Sequence, residues 1–449
     1  MLASFINIFK IQDLKKKILI TLGLMAVYRI GTFIPTPGID GAKLAMFFAN
    51  MAHTQGGTLF GIVNMFSGGA MERLTIFALG IMPYISSSII IQLLTTVIPA
   101  LERLARQGEE GRKQIMQYTR YGTVVLALIQ AFFISLWLEN PARFQGMQIV
   151  ASPGWGFRFL TVITLTTGTA FIMWLGEQIQ EKGIGNGMSL LITAGIVSRL
   201  PEAFFQIVTL LTPGSKGESQ MDLFKLLFLI AMFIIVVVSV VLITQGQRKI
   251  PVQYAKRVVG RKVYGGQSTY IPLKVNQGGV IPIIFAQSII LFPATIAGFV
   301  PHKALYGMAN ALTMGKPLYY VVYSLLILFF AYFYAAITFN PIEMANNMKR
   351  FGGFVPGIRP GKQTAEYFDF IMTRITLPGA MFLTIIAILP TIINSKLGVP
   401  YLVASFFGGT GLLIVVGVML DTMRQIESHL LMRHYEGFMK RGRIRGRMS

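Results

Sequence analysis

Long apolar runs separated by short polar stretches extend along most of this chain. The run at residues 74–100 has no charged side chain over about 27 positions, and a helix needs only about 20 apolar residues to cross a bilayer. The same pattern predicts ten membrane-spanning helices, at residues 18–34, 74–100, 121–138, 159–176, 188–211, 226–244, 280–300, 318–339, 375–393 and 401–420. No soluble domain is expected between them.

The second run contains polar groups that lipid does not favour. Pro83 and three consecutive serines at residues 86–88 lie near its centre, and Gln92 follows them. Polar groups inside a membrane helix seldom face lipid tails, because nothing there satisfies them. We therefore expect one helix through the whole run, with one face turned toward protein or a cavity.

A short unit of this second run recurs much later in the chain. The pattern Gly-x-x-Pro-x-Ile stands at residues 80–85 and again at residues 279–284, in the predicted seventh span. Two sequential copies of five spans each must have opposite orientations in the membrane, because five is odd. The repeat therefore predicts an all-α polytopic membrane protein built from two inverted five-helix halves.

Composition excludes an ordinary soluble protein. The chain is 53% hydrophobic and 13% charged, and its mean hydropathy is +0.62. Its net charge of +22 indicates contact with anionic lipid, nucleic acid or acidic protein surfaces. The chain contains no cysteine, so disulfides and cysteine-based sites are excluded.

The distribution of positive charge predicts the orientation and the segments of the chain. Of the 40 lysines and arginines, 29 fall on the side that holds the N terminus, 10 fall on the opposite side, and Arg29 lies within a span, which makes both termini cytoplasmic. The predicted segments are then an amphipathic cytoplasmic stretch at residues 1–17, a first half at 18–211, an external hinge loop at 212–225, a second half at 226–420 and a basic cytoplasmic tail at 421–449.

Few residues suggest chemistry. The four histidines never have the spacing of a metal site, and no Walker-type phosphate motif occurs, so the sequence offers no catalytic residues, metal site or cofactor. The glycine-rich residues 182–187 resemble a phosphate cradle, but a turn that starts a helix is the favoured interpretation. Ionisable groups fall at span ends, whereas an ion-coupled carrier usually keeps a carboxylate at midplane. A pore with apolar walls remains, which can close by excluding water.

Two long cytoplasmic loops, at residues 245–274 and 340–370, are basic. Glycine and proline alternate in them with apolar residues, which predicts ordered, protruding hairpins that dock a large acidic partner. The alternative is that the loops only follow the usual excess of positive charge on the cytoplasmic side. The basic residues 440–447 are expected to be a disordered tail that touches lipid or RNA.

Four stretches of the chain closely resemble the SecY family of protein-conducting channels. They are residues 77–94 (FALGIMPYISSSIIIQLL), 173–189 (MWLGEQIQEKGIGNGMS), 272–286 (PLKVNQGGVIPIIFA) and 354–361 (FVPGIRPG), and the resemblance covers essentially the whole chain. It implies a central hourglass pore between the two halves and a lateral gate between the second and seventh spans. It also implies a channel subunit that passes unfolded secretory polypeptides across the cytoplasmic membrane and releases membrane segments laterally into lipid.

The resemblance also assigns roles to particular residues. The implied pore ring is Ile81, Ile85, Met188, Ile192, Ile284 and Ile414. The implied external plug, at about residues 60–70, includes Phe60, Gly61, Asn64, Met65, Phe66, Ser67, Gly68 and Gly69. Ser87, Gln92 and Gln287 are candidates for the gate, although they could instead hydrogen-bond within their own bundles. The implied docking surface is Arg248, Lys249, Lys256, Arg257, Arg261, Lys349, Arg350 and Arg359. Val236, in the sixth span, is expected to face lipid.

The expected partners follow from the same resemblance. They are small membrane subunits similar to SecE and SecG, a motor ATPase similar to SecA, the ribosome with its RNA and proteins, signal peptides, client polypeptides and anionic lipids. The expected location is the bacterial inner membrane. Two other classes stay open from the residues alone: a secondary transporter of a small solute, which would need a midplane site, and an intramembrane enzyme or scaffold, which would need a polar pair inside the spans.

Overall fold

A computed structural model describes residues 11–52, 64, 67–144, 146–212, 222–254, 257–259, 262–264, 268–299, 307, 311–312 and 316–441. Helices account for most of these residues. The chain divides into two compact units. The first comprises Met1–Ile207, Pro293–Ala309 and Val418–Ser449, and the second comprises Val208–Phe292 and Asn310–Gly417.

The helices up to residue 211 are α1 (Gln12–Gly31), α2 (Gly41–Ala52), α3 (Met82–Val97), α4 (Pro99–Ala105), α5 (Glu109–Leu138), α6 (Trp155–Lys182), α7 (Gly187–Val197) and α8 (Leu200–Leu211). The later helices are α9 (Leu223–Gln245), α10 (Ile281–Phe299), α11 (Pro317–Thr338), α12 (Pro341–Arg350), α13 (Lys362–Leu397), α14 (Tyr401–Phe407) and α15 (Thr410–Arg441). The strands are β1 (Gln247–Tyr254), β2 (Arg257–Val259), β3 (Lys262–Tyr264), β4 (Ser268–Lys274) and β5 (Gly353–Phe354).

Each of the ten predicted spans falls on one or two of these helices. Within the described residues, seven helical stretches are long and apolar enough to cross a membrane, and an eighth is formed if the bent pair α3 and α4 counts as one span. Helix α1 is not among these stretches, because Asp13, three lysines and Arg29 make it less apolar. The prediction of an all-α polytopic membrane protein is confirmed.

The helix of the second run begins later than the sequence pattern suggests. Residues 74–81 are not helical: Leu74 has a φ of +43°, and Thr75 forms a β-bridge with Pro35. The helix α3 begins at Met82, so Pro83 lies in its first turn, where a missing N–H costs nothing. After Ile98 the chain bends by 104° into α4. The expectation of one helix over residues 74–100 is therefore wrong.

The two copies of the repeat have the same local geometry. Gly80 and Gly279 have φ values of +56° and +58°, a conformation that glycine adopts without strain. Pro83 and Pro282 each stand second in the helix that follows, in α3 and α10. The matching spacing in the sequence therefore corresponds to a matching start of two helices.

The first unit has its core around α5 and α6, which pack against each other and against α3. Its buried side chains come from α2, α5, α6 and the segment before α3. At the corner between α5 and α6, the Arg158 side chain and the Gly154 amide donate hydrogen bonds to the Glu139 carboxylate. Burial alone would raise the pKa of Glu139, but these hydrogen bonds outweigh it and hold the pKa below its usual range.

In the second unit, the two basic loops form one folded body. Strand β1 pairs with β4 within the first loop and with β5 of the second loop, in the order β4-β1-β5. Beneath them lies a core of Ile250, Val252, Leu273, Ala335, Met348, Val355, Phe368, Ile371 and Met372. We call the three strands, α12 and the first turns of α13 the platform. The described parts of both loops are folded, as predicted, but they form one platform and not two separate hairpins.

Two further expectations change with the structure. Val236 is buried in the second unit, so it does not face lipid, whereas its neighbour Ile235 is 64% exposed. Helix α15 continues to Arg441, so the start of the predicted disordered tail is helical; residues 442–449 lie outside the described residues.

Candidate functional site

Four of the six predicted ring residues lie in the first unit, as two pairs. Ile81 and Ile85 stand at the start of α3, and Met188 and Ile192 stand in α7. Residues four apart in a helix lie one above the other on one face, so each pair forms a short aliphatic stripe. All four side chains are buried. The other two, Ile284 in α10 and Ile414 in α15, are buried in the second unit.

Close backbone packing holds α7 in place. A Cβ added at Gly187 would overlap the carbonyl oxygen of Gly176 in α6, so these two helices meet at glycines. The Asn186 side chain accepts a hydrogen bond from the Ser189 amide and so caps the helix start. Nearly all of α7 is buried: Gly187, Met188, Leu190, Leu191, Ile192, Thr193, Gly195 and Ile196.

The glycine-rich residues 182–187 form the turn before α7. The Ile184 amide donates to the Thr21 hydroxyl at 3.0 Å, and the Gly185 amide donates to the Gln425 side chain at 2.8 Å. The Gly183 amide donates to the Ile179 carbonyl. Because these amides already have partners, they do not form a phosphate cradle, and the interpretation as a turn is confirmed.

The predicted plug is described only in part. Phe60, Gly61, Met65 and Phe66 lie outside the described residues. Asn64 and Ser67 are buried. The Gly69 amide and the Ser67 hydroxyl both donate to the Asn64 carbonyl, which brings Asn64 together with residues 67–69 in a compact turn. Gly68 has a φ of +66°, and its backbone lies against Gly195 of α7.

Two arginines contact this turn. Arg29 of α1 donates to the Gly68 carbonyl at 2.9 Å. Arg199, just before α8, reaches the Glu72 carboxylate at 3.4 Å and the Glu202 carboxylate at 2.7 Å. No pattern in the sequence predicts a role for Glu72 or Arg199. Only the spacing of Arg199 and Glu202 hints at an ion pair within one helical turn, since the contact to Glu72 joins residues 127 positions apart.

The three gate candidates are in different surroundings. Ser87 is buried, and its hydroxyl donates to the Thr119 carbonyl of α5 at 2.8 Å. This is the alternative considered for it, a hydrogen bond within its own bundle. The side-chain amide oxygens of Gln92 and Gln287 are buried, and neither has a hydrogen-bond partner among the residues that the structure describes. A buried amide oxygen without a partner costs free energy.

Five of the eight docking candidates lie on the platform or directly beside it. Arg248 and Lys249 of β1, Lys349 and Arg350 of α12, and Arg359 after β5 are all exposed. None of these five forms an ion pair within the described part of the chain. Arg257 lies in β2, and Lys256 and Arg261 fall outside the described residues. The platform thus carries unpaired positive charge from both loops, which suits an acidic partner.

Arg120 and Glu177 form an ion pair of 2.6 Å between α5 and α6. They lie next to the ends of the predicted third and fourth spans, as expected for ionisable groups in this chain. Among the described residues, no group of three or more histidine, cysteine, aspartate or glutamate side chains could hold a metal ion.

Comparisons with known proteins agree with this architecture. The sequence model of the SecY family matches residues 75–423, more than half of the chain. Protein translocase subunit SecY of Escherichia coli (strain K12) is 49% identical over 439 residues, which are 97% of this chain and 96% of that protein.

Solved structures share the fold. One is a SecY structure whose description says that the plug domain stabilises the closed state of the translocation channel; its TM-score is 0.62 at 19% identity, and the match covers 92% of each chain. Another belongs to an idle yeast Ssh1 complex bound to the yeast 80S ribosome, with a TM-score of 0.59 at 16% identity, over 94% of this chain and 89% of that one. On the family match and the identity over nearly its whole length, this chain belongs to the SecY family.

Proposed function

We propose that this chain is the channel subunit of a protein translocase, which passes unfolded polypeptides across the cytoplasmic membrane and releases apolar segments sideways into lipid. The observation that carries the proposal is the pair of buried apolar stripes at the start of α3 and in α7. Ile284 and Ile414 of the second unit are buried too, and the proposal gives them the same role. The alternative, an inverted-repeat transporter of a small solute, is not favoured by the family to which the chain belongs.

Aliphatic side chains suit a constriction that must pass any polypeptide. They exclude water when they meet. An ion would have to give up its hydration shell to enter, and so it stays out. They also make no hydrogen bonds, so a client of any sequence can displace them. A small solute would instead need polar groups placed for its own atoms.

The proposed orientation places both termini and the platform in the cytoplasm, in the inner membrane of a bacterium. The 29 to 10 division of positive charge supports it. On this orientation, residues 64–72 lie toward the external side, where the family's plug closes the pore.

The proposed partners dock where the charge lies. The exposed cations of the platform would bind a SecA-like motor or the ribosome, whose RNA is polyanionic. A solved relative of the same fold is described as bound to a ribosome, which supports the second partner. Small membrane subunits similar to SecE and SecG would complete the channel, and signal peptides and anionic lipids would contact its membrane face.

The proposed lateral gate lies between α3 and α10. Within the described part of the chain, the buried amide oxygens of Gln92 and Gln287 have no hydrogen-bond partner, and such groups would weaken an apolar seam between the two helices. Helices in a membrane gain little hydrophobic free energy by associating, so such a seam can lie near balance between closed and open states. An incoming signal segment could then shift that balance.

A charge in the ring tests the proposal. Ile85→Lys should hydrate the constriction and open a resting ion leak, because a lysine retains its water. The matched control is Ile235→Lys, on the exposed surface of α9. Resting conductance is measured in planar bilayers with the purified channel. An Ile85→Lys channel that exports clients and stays as ion-tight as the control would place the constriction elsewhere.

A further inference from the structure

A compact polar cluster fixes Asn64 and residues 67–72, which together we now call the turn, to the helices of the first unit. The Asn64 side chain binds Glu72 twice: its amide nitrogen donates to the carboxylate at 2.8 Å, and its oxygen accepts from the Glu72 amide at 3.0 Å. Within the same turn, the Met71 amide donates to the Ser67 hydroxyl. Hydrogen bonds thus link Glu72 to Asn64 and Met71 to Ser67, so a contact that holds Glu72 also holds Asn64.

Arg199 connects this turn to the helices. Its side chain is only 9% exposed, while those of Glu72 and Glu202 are 28% and 47% exposed. Three of its hydrogen bonds, at 2.7–3.0 Å, go to Glu202 within its own turn of helix, and one longer contact of 3.4 Å goes to Glu72. The guanidinium therefore binds Glu202 more closely than it binds Glu72 of the turn.

This unequal sharing makes the contact reversible. A buried ion pair is costly to break when one charge is left without a partner. Here Arg199 keeps Glu202 when Glu72 leaves, and Glu72 is exposed enough to be hydrated. The turn can therefore leave its site without an uncompensated buried charge. Arg29 donates to the Gly68 carbonyl and so contributes a second contact to the turn that does not depend on Glu72.

We propose that the Glu72–Arg199 pair is a latch that holds the turn, Asn64 and residues 67–72, in the closed position and sets how readily the channel opens. Glu72 and Arg199 are positioning residues, because they act through the turn and not on the client. The proposal rests on the proposed function, in which this turn belongs to the seal of the pore.

Two neutral substitutions separate the latch from a merely structural ion pair. Glu72→Gln removes the charge of the turn and leaves the Arg199–Glu202 pair intact. Glu202→Gln removes the charge from the closer partner of the same arginine and leaves the turn bound. Making the acceptor of a charged hydrogen bond neutral roughly halves the strength of that bond, which shifts an equilibrium by about five- to tenfold. We expect Glu72→Gln to raise resting conductance in planar bilayers about tenfold, and Glu202→Gln to leave it at the wild-type level.

Export provides a second readout. A client whose signal segment carries a charge in its apolar core should be exported by the Glu72→Gln channel and rejected by the wild type and by Glu202→Gln. The double variant Glu72→Gln/Arg199→Gln should behave like Glu72→Gln alone, since the two residues act through one contact. If the effects of Glu72→Gln and Arg199→Gln on export instead added together in the double variant, the latch would be refuted.

The outcomes also distinguish the latch from the proposed function. Each channel is reconstituted with its co-purifying subunits and first tested with a client that has an intact signal segment. If the wild type shows no signal-dependent export, the proposed function fails. If the wild type and both variants export this client but Glu72→Gln and Glu202→Gln have equal resting conductance, the proposed function stands and the latch is refuted.

Discussion

The platform provides the sharpest test of how the two basic loops work together. Phe368, at the start of α13, is fully buried in the core that β1, β4 and the residues after β5 share. Its ring also meets that of Phe339 edge-on, with centroids 6.3 Å apart. Phe368→Ala removes this side chain from beneath both loops at once. If the platform is one cooperative body, both loops must loosen together.

The structure sets the size of the effect. Replacing a buried phenylalanine with alanine costs about 3–5 kcal/mol, because apolar contacts are lost and a cavity is left. If the platform opens as a unit, its open population should rise by about 100-fold or more. The matched control is Phe370→Ala, two residues along the same helix. Phe370 is 52% exposed and stacks on Arg374 at 4.2 Å, a contact worth about 0.5–1 kcal/mol.

Hydrogen–deuterium exchange measures this opening directly. In Phe368→Ala, peptides that contain β1 and peptides that contain β5 should exchange faster by a similar factor, although about 100 residues of sequence separate these strands. Peptides from α5 and α6 serve as an internal reference in the other unit. Faster exchange in β5 alone, with β1 as protected as in the wild type, would refute the single platform.

Two further substitutions test the platform surface and the turn before α7. Arg359→Glu should slow export about tenfold without lowering the thermal midpoint, because an exposed contact to an acidic partner turns repulsive. The control is Lys113→Glu, an exposed cation of α5 outside the platform, and equal export rates for the two would remove Arg359 from the docking surface. Thr21→Val leaves the buried Ile184 amide without its hydrogen-bond partner, at a cost of about 1–3 kcal/mol. The thermal midpoint of this variant, at a fixed scan rate, should therefore fall below that of Thr21→Ser, which keeps the hydroxyl oxygen. Equal midpoints would contradict a stabilising role for this hydrogen bond.

Features that depend on local pattern could be predicted from the sequence. The spans are predictable because membrane helices need long apolar runs. The repeat is predictable because Gly-x-x-Pro fixes a local backbone geometry. The start of α3 was missed because an apolar run does not distinguish a helix from a buried extended segment. That segment, residues 74–76, satisfies its backbone against residues 34–36, as in the bonds from Thr36 to Leu74 and from Ile76 to Ile34.

Features that depend on contacts distant in sequence could not be predicted. The pairing of β1 with β5 and the contact of Arg199 with Glu72 each join residues about 100 or more positions apart. The prediction that Val236 faces lipid is wrong for a related reason. Helix α9 is apolar on all sides, so its sequence pattern does not show which face is covered by protein. The six ring residues and the gate were named from the family resemblance, and their roles stay predictions.

The repeat explains how an apolar constriction can be placed without polar contacts. Gly80 and Gly279 both adopt a left-handed backbone that any side chain would strain, and a proline follows each in the first turn of a helix. These two residues fix where each helix begins, and Ile85 and Ile284 stand five residues after the glycines. The depth of each isoleucine is therefore set by the backbone and not by bonds of its own side chain. In the proposed channel, this leaves the side chains free to yield to a client and to close again behind it, which a constriction held by specific hydrogen bonds could not do for clients of every sequence.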